Sequence, residues 1–155
     1  MKEYVLGFAF DIKALNPAIL QSEPSVALIR KNRPTWQSGL LNGVGGKIEK
    51  NETEVQAMER EFFEEAGIIF PQKSWQLFAR MSGGTPLINR WRVTVFCLAS
   101  NSIYDVRSIT DEKVSTFQLK HLDRALCVPN LRWLLPMAIN YLNRKDTQQF
   151  CIDTL

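Results

Sequence analysis

The chain has 155 residues, 45% hydrophobic and 23% charged, the balance of a water-soluble globular protein rather than a disordered, fibrous or membrane-spanning one. That length suffices for a single domain, residues 1–155, to bury a core without disulfides or a structural metal. The net charge of +3 is spread along the chain with no run of Lys or Arg, which excludes a nucleic-acid-binding arm; it suits anionic nucleotides and an ordinary solvated surface equally.

The amino-terminal stretch MKEYVLGFAFDIK carries Glu3 ahead of its apolar residues and has no small-residue cleavage site, so it reads as a strand and not an export signal. No window reaches the roughly 20 apolar residues needed to cross a bilayer. Cys97, Cys127 and Cys151 are odd in number and lack CxxC spacing, so the expected setting is a reducing cytoplasm.

Residues 5–11 and 25–31 are apolar, β-branched runs of strand length, joined by a proline-containing connection over 15–24. From 32 to 46 turn formers dominate (Pro34, Ser38, Asn42, Gly43, Gly45, Gly46), interleaved with Trp36, Leu40 and Leu41, and a loop is expected. Residues 53–66 contain no Gly or Pro, follow Asn51 as a candidate cap and stop against Gly67, which predicts a helix. On that helix Val55, Met58, Phe62 and Ala66 form an apolar stripe, with Glu61, Glu64 and Glu65 together on its flank. Residues 75–81 and 90–99 read as a hairpin with a long tip around Gly83-Gly84 and Pro86, and Trp91, Val93, Val95 and Cys97 alternate along its second strand. A strand over 114–119 follows. Then comes a helix over 130–143, capped by Asn130 and kinked or delayed by Pro136, and finally an edge strand over 149–153.

The chemistry concentrates between Gly45 and Ile68. Residues three and four apart on a helix are neighbours, about 5–6 Å apart at Cβ, so Glu61, Glu64 and Glu65 aim their carboxylates at one small volume. Like charges so placed repel, and local helix stability does not account for them. A solvated acidic face is one reading. A divalent cation is the other: Mg²⁺ takes hard oxygen ligands, keeps several waters and can receive phosphate oxygens. The glycine-rich turn and helix amino terminus just before the acids suit anion approach.

This segment resembles the Nudix box: Gly, five residues, Glu, seven residues, Arg-Glu, a bulky apolar residue, any residue, Glu-Glu, any residue, Gly and a bulky apolar residue. Gly46, Glu52, Arg60-Glu61-Phe62, Glu64-Glu65, Gly67 and Ile68 fill every fixed position. The resemblance implies the α/β class and the family's αβα sandwich, with a mixed β-sheet between helices. It implies that Glu61, Glu64 and Glu65 hold Mg²⁺ or Mn²⁺ together with the Gly46 carbonyl. Glu61 would also orient or deprotonate the attacking water. The catalytic set is completed by Glu64, Glu52 and Arg60, the last holding Glu61 or Glu52 by ion pairing. Some relatives place another acid on a loop before a late strand; Asp111-Glu112 stands in such a loop, and Glu112 there is a metal candidate or plain turn chemistry.

The run from Asn42 to Lys47 looks like the Asn-Gly-x-Gly-Gly-Lys of the MutT-like branch, which removes oxidised purine nucleoside triphosphates. Its substrate-binding candidates here are Asn42, Gly45 and Lys47. Asn42 reads a purine edge or serves as a turn residue. In that branch an acid or amide near the start of the last helix also reads the base, and Asn130 sits comparably, or only caps the helix. The branch often has Trp before the Asn, where this chain has Leu41, so stacking would come from Trp36, Phe8, Phe10 or Trp133, unless these are core. Arg30, Lys31 and Arg33 meet outer phosphates or end a solvated strand. His121, the only histidine, has no role.

The expected activity is Mg²⁺-dependent pyrophosphohydrolysis of a nucleoside triphosphate, such as 8-oxo-dGTP, to a monophosphate and pyrophosphate. Alternatives are a dinucleoside polyphosphate, nucleotide sugar, ADP-ribose or RNA cap, or a nucleotide-sensing module without catalysis, which has no need of all the acids. The partner is a nucleotide substrate, with no stable nucleic-acid partner and no membrane; monomer and homodimer are both open.

Overall fold

The computed structural model describes residues 1–15, 23–87, 89–144 and 149–154. The expected strands and helices form, as β1 (Lys2–Phe10), β2 (Ser25–Arg30), α1 (Glu54–Ala66), β5 (Gln76–Gly83), β6 (Trp91–Ala99), β7 (Lys113–Gln118), α2 (Leu131–Asn143) and β8 (Phe150–Thr154), and two short strands that were not expected, β3 (Leu41–Asn42) and β4 (Val44–Lys47), join them. Most of the predicted 15–24 connection lies outside the described residues.

The strands make one mixed sheet in the order β3-β2-β1-β6-β5-β8, with β4 paired to β1 and β7 to β2. β1 and β6 run parallel over their whole length, from Lys2 opposite Trp91 to Phe10 opposite Ala99. On its other edge β1 meets β2 only at Phe10 and Val26. The two strands then part, and the chain from Leu41 to Lys47 fills the opening, β3 against Ile29 and Arg30 of β2, β4 against Tyr4 to Gly7 of β1. Residues 32–46 are therefore not only a loop: their second half is paired backbone inside the sheet. The tail β8 lies parallel to β5 at the sheet edge.

Alternation sends the two faces of each strand to different helices. Leu6, Phe8 and Phe10 of β1, Val26 and Leu28 of β2, and Val95 and Cys97 of β6 pack with Leu131, Leu134, Leu135 and Ala138 of α2. Val5 and Ala9, Ala27 and Ile29, and Phe96 and Leu98 face the other way, onto Ala57, Met58, Phe62 and Ala66 of α1. The result is a mixed sheet between two helices, the αβα sandwich. Burial on both faces explains why β1 and β2 read as nearly continuous apolar runs.

Helix α1 begins one cap later than its sequence suggests. Thr53, not Asn51, is the N-cap: its hydroxyl accepts from the Gln56 N–H while the Gln56 side chain accepts from the Thr53 N–H. Asn51 instead takes a left-handed turn conformation, φ 71°. Gly67, at φ 73°, ends the helix and donates to the Phe63 carbonyl at 2.9 Å. At α2 the Asn130 side chain makes no capping hydrogen bond, and Pro136 does not delay the start, because the helix already runs from Leu131. Pro136 lies on the exposed face, where water can serve the Arg132 carbonyl that the missing N–H leaves free.

Phe62 holds α1 to the sheet. It is fully buried and meets Phe70 and Trp75 with ring centroids 5.3 Å away in both cases. Phe62→Ala is expected to lower the unfolding free energy by about 3–5 kcal/mol, read as a lower urea midpoint at unchanged m-value; a change under 1 kcal/mol would mean that this aromatic cluster does not anchor α1.

Candidate active site

The acids of α1 meet the sheet at Gly45 and Gly46. β4 passes so near α1 that a Cβ on Gly46 would collide with the Glu61 carboxylate, and one on Gly45 would strike the Val5 carbonyl oxygen. The glycines are thus required for close approach, not for turn conformation. Gly45 donates its N–H to Glu65 Oε2 at 3.3 Å.

Arg60 ties the acidic face together. Its guanidinium donates to both Glu52 oxygens, at 2.6 and 3.1 Å, to Glu61 Oε1 at 2.8 Å, to Glu64 Oε2 at 3.3 Å and to the Lys47 carbonyl at 3.1 Å. It therefore holds both acids between which the sequence left a choice. The Arg60 bonds pull Glu52 below the ordinary carboxylate range, and Glu52 in turn raises Arg60 above its already high value. Glu61 and Glu65 behave oppositely. Burial raises Glu61 despite Arg60, and burial pushes Glu65 up to about 7 despite the Lys31 charge and the Gly45 N–H, with Glu61 and Glu112 adding repulsion.

A second cluster comes from residues 30–33 and the loop before β7. Lys31 Nζ donates to Glu112 Oε1 at 2.7 Å and the Asn32 N–H to Glu112 Oε2 at 2.5 Å. Glu112 is nearly buried, and these partners outweigh its burial and keep it below the ordinary carboxylate value. It reaches the site with both oxygens engaged. Arg33 pairs with Asp111 at 2.9 Å in solvent.

A cavity of about 580 Å³ opens where β1 and β2 part, within the range of small-molecule sites. Its lining includes Gly45, Gly46 and Lys31, Asn42, Gln37 and Trp36, and Asn130, Val128, Met81, Trp91 and Val93. Asn42 Nδ2 donates to Gln37 Oε1 at 3.1 Å, and its Oδ1 accepts the Gly43 N–H at 2.8 Å. Asn130 Oδ1 is buried and, among the described residues, is the one such side-chain atom without a hydrogen-bond partner. Its Nδ2 meets only the Met81 sulfur, at 3.9 Å.

Two expected substrate residues are not in this cavity. Lys47 pairs opposite Tyr4, which lines the cavity, but its own side chain is exposed and does not reach the cavity wall. Arg30 is exposed and donates to the Gly39 carbonyl at 2.9 Å, bracing the 31–39 turn. Of the candidate stacking rings, Phe8 and Phe10 are fully buried core and Trp133 packs on the α2 side, whereas Trp36 does line the cavity. Sequence reasoning missed Trp91, Met81 and Gln37. The alternation that marked Trp91 and Val93 as inward-facing was the available signal; it could not tell core from cavity wall.

Residues 13–145 match the family model described as the NUDIX domain. The chain belongs to the Nudix family. With every box position filled, it is a Nudix hydrolase acting on phosphoric anhydride bonds. Among solved structures it resembles a MutT protein from Bacillus halodurans (16% identity, TM-score 0.66, covering 99% of this chain and 90% of that one). It also resembles the NUDIX domain of Shewanella oneidensis NrtR complexed with ADP ribose (14%, 0.69, 90% and 87%) and a NUDIX hydrolase from Nitrosomonas europaea (19%, 0.61, 99% and 79%). At these identities the likeness is one of fold. No curated protein matches the chain in sequence. No helix among the described residues is long and apolar enough to cross a membrane.

Nudix hydrolases generally use divalent metals. Among the described residues no three acids already stand together as a ligand set, since Arg60 occupies the space between Glu52, Glu61 and Glu64. The donor chemistry nevertheless fits: Glu61 and Glu65 are carboxylates whose ionised forms are disfavoured by burial until a cation arrives, and Glu64 stands beside them, 54% exposed. All are hard oxygen donors.

Without metal, Glu65 keeps its proton in the fold up to about pH 7, while the unfolded chain has lost it above 4.5. The folded state then binds more protons across that window, so Glu65's contribution to stability falls as pH rises through it. In EDTA, Glu65→Gln should be more stable than the parent at pH 8 by on the order of 1–3 kcal/mol, the difference closing toward pH 4. Parallel urea curves for the two proteins across that range would refute the buried position of this carboxyl.

Proposed function

We propose that this Nudix hydrolase is a Mg²⁺-dependent nucleoside triphosphate pyrophosphohydrolase, residues 1–155 forming one catalytic domain in a cytoplasmic setting. The carrying observation is that one cavity joins two asparagines to the Gly45-Gly46 backbone, directly behind which lie Glu61 and Glu65. A base bound at Asn42 and Asn130 would have its phosphates at the acidic end.

In this reading Glu61, Glu64 and Glu65, with the Gly46 carbonyl, hold Mg²⁺ (or Mn²⁺), which when bound neutralises phosphate charge and acidifies a water. Glu61, fixed by Arg60, takes the water's proton, and Glu52 keeps Arg60 in line. Lys31 meets a phosphate oxygen as a charge-assisted donor. Glu112, already bonded to Lys31 and Asn32, serves as their support and not as a further metal ligand. The unpartnered Asn130 Oδ1 asks for an N–H from the base, because a buried acceptor left unmade costs about 1–3 kcal/mol. Any purine with an N–H on the facing edge answers that demand; 8-oxo-dGTP, which adds an N7–H to those of guanine, leads the substrates by the MutT-like run from Asn42 to Lys47.

The NrtR domain complexed with ADP ribose favours a second reading, a nucleoside diphosphate joined to a sugar. Product analysis over triphosphates, oxidised triphosphates, ADP-ribose, nucleotide sugars and dinucleoside polyphosphates separates the two. Pyrophosphate and a monophosphate as the best-turned-over pair support the first; a sugar phosphate supports the second.

Glu64→Gln and Glu65→Gln should each reduce Mg²⁺-dependent turnover at least about 100-fold, in line with losing an anchored catalytic group; full activity in both would remove the metal assignment. Asn42→Ala should compress the ratio of kcat/KM between purine substrates by about tenfold, the equivalent of one polar base contact, while Mn²⁺ affinity by electron spin resonance stays put. An unchanged ratio would exclude Asn42 from base reading.

A further inference from the structure

The α1-facing side of the sheet is apolar under most of the helix but polar beneath its first turn. Alternation places Arg92 and Thr94 of β6 on the same face as Phe96 and Leu98. Register adds Arg80 of β5 opposite Thr94, and Glu3 of β1 beside Arg92. Glu54, the first residue of α1, comes down onto this patch. Its Oε1 accepts from the Thr94 hydroxyl at 2.7 Å and its Oε2 from Arg80 Nη2 at 2.9 Å, while Arg92 stands 3.7 Å from Oε1. Thr94 is buried and Glu54 half-buried. Glu54 falls among the seven undesignated residues of the box between Glu52 and Arg60, so the pattern that explains its neighbours does not explain it. The dipole at a helix N-terminus accounts for an acid there, but not for three sheet side chains gathered around it.

Glu54 lies two residues past Glu52, whose carboxylate receives two bonds from Arg60. Arg60 in turn holds Glu61 at 2.8 Å and the Lys47 carbonyl at 3.1 Å. The Phe62 cluster fixes the other half of the helix. Among the described residues no other side chain of the first turn hydrogen-bonds to the sheet, since Thr53 and Gln56 bond each other's backbone. Without Glu54 that turn is free to shift, and Glu52 and the Arg60 fork shift with it.

We propose that Glu54 is a positioning residue: gripped by Arg80 and Thr94, it fixes the first turn of α1 on the sheet so that the Arg60 clamp closes on Glu61. The inference rests on the reading above in which Glu61 takes the water's proton, and it traces part of that group's aim to β5 and β6, outside the box. Because Glu54 acts through Glu52 and Arg60, its effect falls on alignment at the bond to be cut and not on nucleotide affinity.

The Arg60 Nε–H resonance, assigned by its loss in Arg60→Lys, reports the clamp in metal-free protein. In EDTA, Glu54→Ala should speed its exchange with water at least about fivefold, what one hydrogen bond is worth. Both cations keep a partner in that variant, Arg80 at Gln149 and Arg92 at Glu3, so the fold is retained. Turnover of 8-oxo-dGTP in Mg²⁺ should lose about ten- to a hundredfold in kcat, the upper figure matching a misplacement of about 1 Å, with KM within about twofold of the parent. Glu54→Gln, which keeps an acceptor for Arg80 and can donate to the Thr94 oxygen, should recover most of both. Thr94→Val, which removes one bond from the sheet side, should reproduce part of the loss. Glu52→Gln combined with Glu54→Ala should be little worse than Glu52→Gln alone, since both act through Arg60. An Arg60 signal unchanged in Glu54→Ala, a loss in KM alone, or losses that multiply in the double variant would overturn the positioning role while leaving hydrolysis standing. A clamp loosened at parental kcat would instead overturn the part given to Glu61. A parent that turns over neither 8-oxo-dGTP nor dGTP would overturn the triphosphate reading, and the Arg60 exchange rates would still decide the role of Glu54.

Discussion

The site depends on a near-contact: the backbone of β4 lies against the Glu61 carboxylate with no room for a methyl group at Gly46. That approach is possible because β1 and β2 share a single register pair before they part, leaving an opening that the chain from Leu41 to Lys47 must enter. A strand inserted there has sheet on one side and α1 on the other. A side chain at Gly46 would displace the Glu61 carboxylate that Arg60 holds at 2.8 Å, and one at Gly45 would strike the Val5 backbone of β1. The bare backbone at Gly46 therefore leaves the room in which Arg60 holds the Glu61 carboxylate.

The same arrangement is costly for the fold. Carboxylates withdrawn from water without a full set of counter-charges destabilise the state that contains them. Arg60 offsets this for Glu52, which lies well below its ordinary range, but Glu61 and Glu65 stay raised. Selection for stability alone would replace such acids with neutral residues. Stability is recovered elsewhere, in the doubly buried strands and in the Phe62, Phe70 and Trp75 cluster beneath the acidic face. The helix is packed on its buried side and electrostatically unsatisfied on its flank.

Legibility followed the range of the interactions involved. The spacing of Gly46, Glu52 and Arg60 to Glu65 encodes contacts within one helix and its approach, so the acidic cluster was readable as a unit, and period-two alternation recovered β1, β2 and β6. What failed was non-local. Whether Trp91 faces core or cavity depends on β1 and β2 parting, which no local pattern records. Lys47 looked like part of a phosphate-binding run, yet its side chain is exposed and its carbonyl serves the site instead, accepting from Arg60. Asn130 was explained as a cap by its position alone, yet its backbone is already helical and its side chain bonds no helix N–H. Asn51 looked like the cap, but its left-handed φ of 71° is not the extended conformation of an N-cap, and Thr53 takes that place with Gln56 as its reciprocal partner.

The two ends of the cavity are mechanically one piece. Asn42 and Gly46 lie on the same short stretch of paired backbone, four residues apart, which at about 3.3 Å per residue spans about 13 Å. β3 fixes one end to β2 and β4 fixes the other to β1, so neither can shift without tearing ladder hydrogen bonds. A ligand edge held at Asn42 is thereby placed at a set distance from the acids behind Gly46. In the proposed nucleotide complex, a change in the size of the group at the asparagine end would shift the phosphates relative to the acids as well as alter the affinity of the base. Selectivity in such a site is expressed through alignment at the bond to be cut as well as through binding, because small misplacements are expensive in catalysis. The 31–39 turn joins the same frame through Lys31 and Glu112, which ties one wall of the cavity to a nearly buried ion pair.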